Sequence, residues 1–153
     1  MGGVNGAEAL KALYALQEKD LEIDRLRAEA ESLPEELVAL QGQVETLEER
    51  LTNLLERRAE LEREYNRHSL DIEDLSAKEK QAEEEQKRAQ SAREQTQYEN
   101  RIQQIKDRIR ELLELSTPIM EAMENLEAEI AQVEEELAAL RPRLQELLEA
   151  NRA

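Results

Sequence analysis

The stretch LVALQGQVETLEERLTNLLERRAELEREYNRHSLDIEDL, residues 37–75, decides the fold. Stepping alternately by three and four from Leu37 meets Leu40, Val44, Leu47, Leu51, Leu54, Arg58, Leu61, Tyr65, His68, Ile72 and Leu75. Stepping backwards from Leu37 meets Leu33, Ala30, Leu26 and Ile23. Of these positions only Arg58 and His68 are neither apolar nor tyrosine. A mean spacing of 3.5 residues holds one narrow apolar stripe on one side of a slightly supercoiled helix, the signature of a coiled coil.

A second run of the same period starts at Tyr98 and passes through Ile102, Ile105, Ile109, Leu112, Ser116, Ile119, Met123, Leu126, Ile130, Val133, Leu137, Leu140, Leu144 and Leu147. Only Ser116 breaks it. Between the runs, residues 78–97 hold no large apolar side chain, and the seam fades to Glu79, Ala82, Gln86 and Ala89. The stretch still favours helix, with Asp74–Lys78, Glu83–Lys87 and Glu84–Arg88 at the supportive i,i+4 spacing. Two matching stripes and a short polar connection predict intrachain closure. The expected fold is therefore all-α, a long kinked antiparallel two-stranded coiled-coil hairpin. Its parts are an N-terminal helix over 7–33, an ascending arm over 34–90, a tip at 91–96 and a descending arm over 97–152. Thr96 and Glu99 fit a capping box that would restart a helix after the tip.

The odd residues suggest a register. If paired residue numbers sum to about 184, His68 faces Ser116 and Pro142 lies across from Gly42, polar against polar and a bend against a missing side chain. Three prolines fall inside the pattern. Pro34, with Ser32 and Glu35 as a capping pair, reads as a stop and restart; Pro118 and Pro142 read as kinks. In this register residues before Glu31 have no partner on the second arm. Yet Leu10, Leu13, Tyr14, Leu16, Leu21, Ile23 and Leu26 are apolar on more than one helix face. Three covers are open: a C-terminal continuation, a second copy forming a homodimer, or the first helix folding back at Leu33-Pro34.

Composition agrees with the helical reading and narrows the function. Charged residues make up 38% of the 153-residue chain and aromatics 2%, a balance typical of long helices. The net charge of -16 repels phosphate backbones, so this segment alone is expected not to bind nucleic acid. No apolar run reaches the length of a membrane span, and residues 1–6 do not form a signal peptide, so a cytoplasmic protein is expected. The absence of cysteine removes disulfides, thiolate zinc sites and cysteine nucleophiles. Glycines at 2, 3, 6 and 42 build no phosphate loop. The single histidine, His68, has Tyr65 where a helical di-metal motif needs glutamate, so no metal site or catalysis is expected, and His68 reads as a register residue paired with Ser116.

The expected function is therefore a non-catalytic protein-interaction module, a scaffold or chaperone-like adaptor. The candidate partner-binding residues are Leu10, Leu13, Tyr14 and Leu21 on the first helix, and Glu83, Glu84, Glu85, Arg88 and Arg93 around the tip. Tyr14 lies off the main seam and is the better interface residue, whereas Tyr65 and Tyr98 read as packing. The run Glu83-Glu84-Glu85 reads as a solvated face, or else as a docking patch for a basic partner.

The opening LKALYALQEKDLEIDRLRAEAESLPEEL, residues 10–37, resembles bacterial coiled-coil proteins that end in a four-cysteine zinc ribbon. Members begin with Leu-Gln-x-x-Asp-x-x-Ile/Leu-x-x-Leu followed by Leu-Pro, matched here by Leu16, Gln17, Asp20, Ile23, Leu26 and Leu33-Pro34. TQYENRIQQI, residues 96–105, resembles their segment after the tip, with Tyr98 and Glu99 kept and Gln97 where glutamate is usual. The resemblance covers nearly the whole chain. It implies a kinked hairpin carrying a ribbon that binds nucleic acid or protein, with some members linked to transcription-factor handling and to flagellar or secretion assembly. No cysteine is present here, so zinc is expected only if a ribbon follows, and the chain reads as an excerpt or as a member that lost it. The arm of a zinc-ribbon, transcription-associated regulator is the alternative function.

Overall fold

A computed structural model describes the backbone of residues 2–152 and the side chains of residues 6–29 and 31–152. The side chain at the Ala30 seam position, and Ala153 at the far end of the second arm, lie outside the described residues. Two helices account for the described residues apart from 88–91: α1, Gly2–Lys87, and α2, Ala92–Arg152. They pair antiparallel as an all-α helical hairpin.

The chain divides into two compact units, one of residues up to Glu48 together with residues from Glu135 onward, the other Glu49–Glu134. In the first, Leu37, Leu40 and Val44 of α1 and Leu137 of α2 are buried, with Leu47, Leu140, Leu144 and Leu147 half-buried beside them. Arg141 Nη2 lies 3.5 Å from Glu48 Oε1 across the pair. In Glu49–Glu134 the core is Leu61, Ala82, Ile102, Ile105, Leu112, Ser116, Ile119, Ile130 and Val133. From Leu37 to Gln86 every expected seam position of α1 is buried or half-buried, and so is every one of α2 from Tyr98 to Leu147.

Polar seam residues fix the register of the Glu49–Glu134 unit. Arg58 occupies a seam position but turns its head outward, with Nη2 at 2.7 Å and Nε at 3.1 Å from Glu127 Oε1. Its Nη1 reaches Glu62 at 3.4 Å. The hydrogen bond that Arg58 donates to Glu127 raises the Arg58 pKa above its ordinary value, with the Glu127 and Glu62 charges adding to the effect against desolvation. Nearer the tip, seam Glu79 meets Lys106 Nζ at 3.8 Å. In both cross-helix pairs the residue numbers sum to 185, one residue from the expected value.

The reversal differs from expectation. It falls at residues 88–91, just before the expected tip, and uses neither glycine nor any positive φ. Arg88 N–H donates to Glu85 O and Ala89 N–H to Gln86 O, both at 3.1 Å, tightening the last turn of α1 into i→i+3 bonds. Helix α2 is started by Ser91 and Glu94, not by Thr96 and Glu99. Glu94 N–H donates to Ser91 Oγ at 3.1 Å, and Gln90 N–H donates to Glu94 Oε2 at 3.2 Å. This is a reciprocal cap that satisfies donors the helix start would leave bare. Thr96, already one turn inside α2, donates its hydroxyl to Ala92 O. Asp74–Lys78 forms at 3.1 Å. Glu83–Lys87 and Glu84–Arg88 form no ion pair among the described residues, since Lys87 ends the helix and Arg88 lies beyond it.

The prolines do not end helices. Pro34 lies inside α1, and Pro118 and Pro142 inside α2. All three side chains are exposed, away from the seam, so each costs one backbone bond on the solvent side and leaves the buried stripe intact. The boundary expected at Leu33-Pro34 is absent: Ser32 donates its hydroxyl back to Glu29 O at 2.9 Å instead of capping a new helix. Gly42 is not a site of close approach either. A Cβ built there meets nothing within 4 Å. Gly42 instead borders an open groove of about 610 Å³ with Thr46, Leu47, Ala139 and Leu140.

Three substitutions test this account. Leu112, 1% exposed, should cost about 2–5 kcal/mol when changed to Ala in urea unfolding, whereas exposed Leu10→Ala should cost under about 0.5 kcal/mol. Ser91→Ala should cost about 1 kcal/mol and speed amide exchange at Gln90 and Glu94 more than elsewhere.

Candidate partner-binding surfaces

The sequence-predicted residues fall on two separate surfaces, one in each unit. On the first, every described side chain from Gly6 to Glu29 is exposed. Leu10 and Leu21 are about 70% exposed and Tyr14 is 65% exposed; Leu13, Leu16, Ile23 and Leu26 are exposed with them. The second arm therefore covers none of them, as the register implied. Helical geometry sorts them into two stripes. Leu16, Ile23 and Leu26 continue the hairpin seam, while Leu10, Tyr14 and Leu21 lie well round the helix. A helix with two apolar stripes offers contact to more than one neighbour.

At the tip, the second surface is less uniform than its sequence suggests. Glu83, Glu84, Arg88 and Arg93 are exposed. Glu85 is not part of a free acidic run. It is half-buried, accepts from Gln81 Nε2 at 3.3 Å, and sets its charge against the Tyr98 phenol. Burial first, then the charge of Glu85, raise the Tyr98 pKa above its ordinary value. Next to the reversal, Gln86 Nε2 ties α1 to α2 by donating to Gln95 O at 3.3 Å. The exposed charges left are two acids and two bases, not a one-sign patch.

The expected His68–Ser116 pair does not form. Ser116, buried, donates its hydroxyl to Leu112 O on its own helix at 2.8 Å. His68 Nδ1 is buried with no hydrogen-bond partner, and Nε2 lies 4.0 Å from Glu64 Oε1, too far for a hydrogen bond. The carbonyl one turn back is always within reach of a helical serine, so the local bond wins over the cross-helix one. Among the described residues no group of three or more His, Asp or Glu side chains is placed to hold a metal ion.

Sequence reasoning missed a third feature. In Glu49–Glu134, Leu113 and Met120 of α2 are about half exposed beside the seam, and Tyr65, Met120, Met123, Glu124 and Glu127 line a groove of about 270 Å³. The signal was present: Leu113 and Met120 each follow a seam residue, seven apart, where charged residues are usual.

No known protein family, curated protein or solved structure matches the chain. Among the described residues no helix is long and apolar enough to cross a membrane.

Because His68 leaves a buried nitrogen unpaired, His68→Leu should stabilise the chain by about 1–2 kcal/mol in urea unfolding near neutral pH. A loss of stability would show that the imidazole makes a favourable contact after all.

Proposed function

We propose that this chain is a non-catalytic coiled-coil protein-interaction module of the cytoplasm, a scaffold or adaptor whose first helix is its main contact surface. One observation carries the reading: Leu10, Leu13, Tyr14, Leu16, Leu21, Ile23 and Leu26 are all exposed on one helix. Covering a leucine contributes about 1.5–3 kcal/mol, so this set offers a partner ample driving force. Leu10, Leu13, Tyr14 and Leu21 form the contact face, and the exposed tip charges Glu83, Glu84, Arg88 and Arg93 add a polar secondary contact. The cover is read as another protein or a second copy of this chain, with a C-terminal continuation as the intramolecular alternative. The motif resemblance of residues 10–37 and 96–105 to zinc-ribbon coiled-coil proteins, whose hairpins carry a separate functional end, agrees with an interaction role. Nucleic-acid binding by these residues is disfavoured by the net charge of -16.

Hydrogen exchange on the full chain tests the proposal. Amides of residues 10–26 should slow at least about tenfold when the face is occupied, by self-association at raised concentration or in the presence of cell extract. Leu10→Ser combined with Leu21→Asp should abolish that slowing while the seam amides stay protected. Equal exchange at every concentration and in extract, with the double variant indistinguishable, would sink the reading.

A further inference from the structure

We propose that the methionine-lined groove beside the seam of the Glu49–Glu134 unit binds a basic amphipathic helix of a partner protein. This surface is distinct from the first-helix face and does not depend on it.

The argument starts from what the seam does not need. Leu112, Ser116 and Ile119 of α2 are already buried in it. Positions flanking such a seam normally carry Glu or Lys, which reach across it and stay wet. Leu113 and Met120 hold that flanking position in successive heptads, at 53% and 48% exposure. Seven residues apart, they lie on the same side of α2 and match the i,i+7 spacing of a further helix laid alongside. Tyr65 and Met123, half-buried seam residues, extend the apolar floor where they line the groove with Met120. Methionine is flexible and polarisable and adapts to irregular apolar partners.

The polar groups around this floor select the charge of the occupant. Thr117 spends its hydroxyl on Leu113 O at 3.2 Å. Arg58 is held by Glu127 and Glu62. Glu124 lines the groove and has no ion-pair partner among the described residues. The available rim charge is therefore acidic, on a chain of net charge -16. An acidic rim over an apolar floor complements a helix with an apolar face flanked by Lys or Arg, and repels both phosphate and a second copy bringing the same acids.

The probe is a fluorescein-labelled 14-residue peptide of leucine and lysine with an apolar face, compared with a shuffled peptide of identical composition that has none. Both are titrated into the full chain and followed by anisotropy. The amphipathic peptide should bind at least about tenfold more tightly than the shuffled one. Leu113→Ser with Met120→Ser should weaken it about tenfold or more with unchanged net charge, and Glu124→Gln should weaken it a few-fold and flatten its salt dependence. Both apolar sites are surface positions, so helicity should hold. If the double variant loses helicity, Met120→Gln, which keeps length and charge, should still weaken binding several-fold. Equal binding of the two peptides, or affinity untouched by these apolar substitutions, would show charge attraction alone and overturn the proposal. So would self-association in light scattering that the double variant abolishes, since the occupant would then be a second copy.

Discussion

Exclusion of water from a single seam between α1 and α2 is the interaction on which everything else rests. The chain has no sheet or disulfide among its described residues to share that task. Hydrophobic burial has no direction of its own, and leucines repeated every heptad could close in several registers. Polar residues placed within the seam supply the missing specificity. Arg58 needs Glu127 and Glu79 needs Lys106. A one-heptad slip would separate both pairs at once and leave charges at the edge of an apolar stripe.

Seam position also explains why some residues with conspicuous chemistry are structural and others are available. Gln86 and Gln95 hold the two helices together near the reversal. Ser116 satisfies itself within its own turn. The residues left for outside contact are apolar side chains where the heptad asks for polar ones, and a leading helix whose stripes no part of the second arm covers. Recognition by such surfaces depends on shape and apolar area more than on reactive groups.

Much of the architecture was legible because a heptad repeat is redundant: one exception such as Arg58 does not obscure a stripe carried by its neighbours. The same repeat located the uncovered leading helix. Local punctuation was far less legible. Ser91-Ala92-Arg93-Glu94 and Thr96-Gln97-Tyr98-Glu99 both fit the capping pattern, and without glycine or proline nothing in the sequence ranks them. Pro34 misled for a related reason. Proline removes one bond wherever it stands, but whether a helix survives depends on whether that bond faces solvent or seam, which packing decides. The Ser116–His68 pairing failed because proximity across the seam competes with a carbonyl one turn away on the same helix. The half-burial of Glu85 was hidden because three adjacent glutamates look alike until packing covers one.

The four-residue reversal also bears on how the chain acquires its structure. Contacts beside it join residues close in sequence, as between Gln86 and Gln95, so forming them sacrifices little chain entropy. Each further heptad closes onto a pair already in place, like the teeth of a fastener drawn from one end. Since every backbone angle at the bend is ordinary, the starting point depends on capping chemistry rather than on a special residue, and it remains the cheapest place for folding to begin whatever later covers the leading helix.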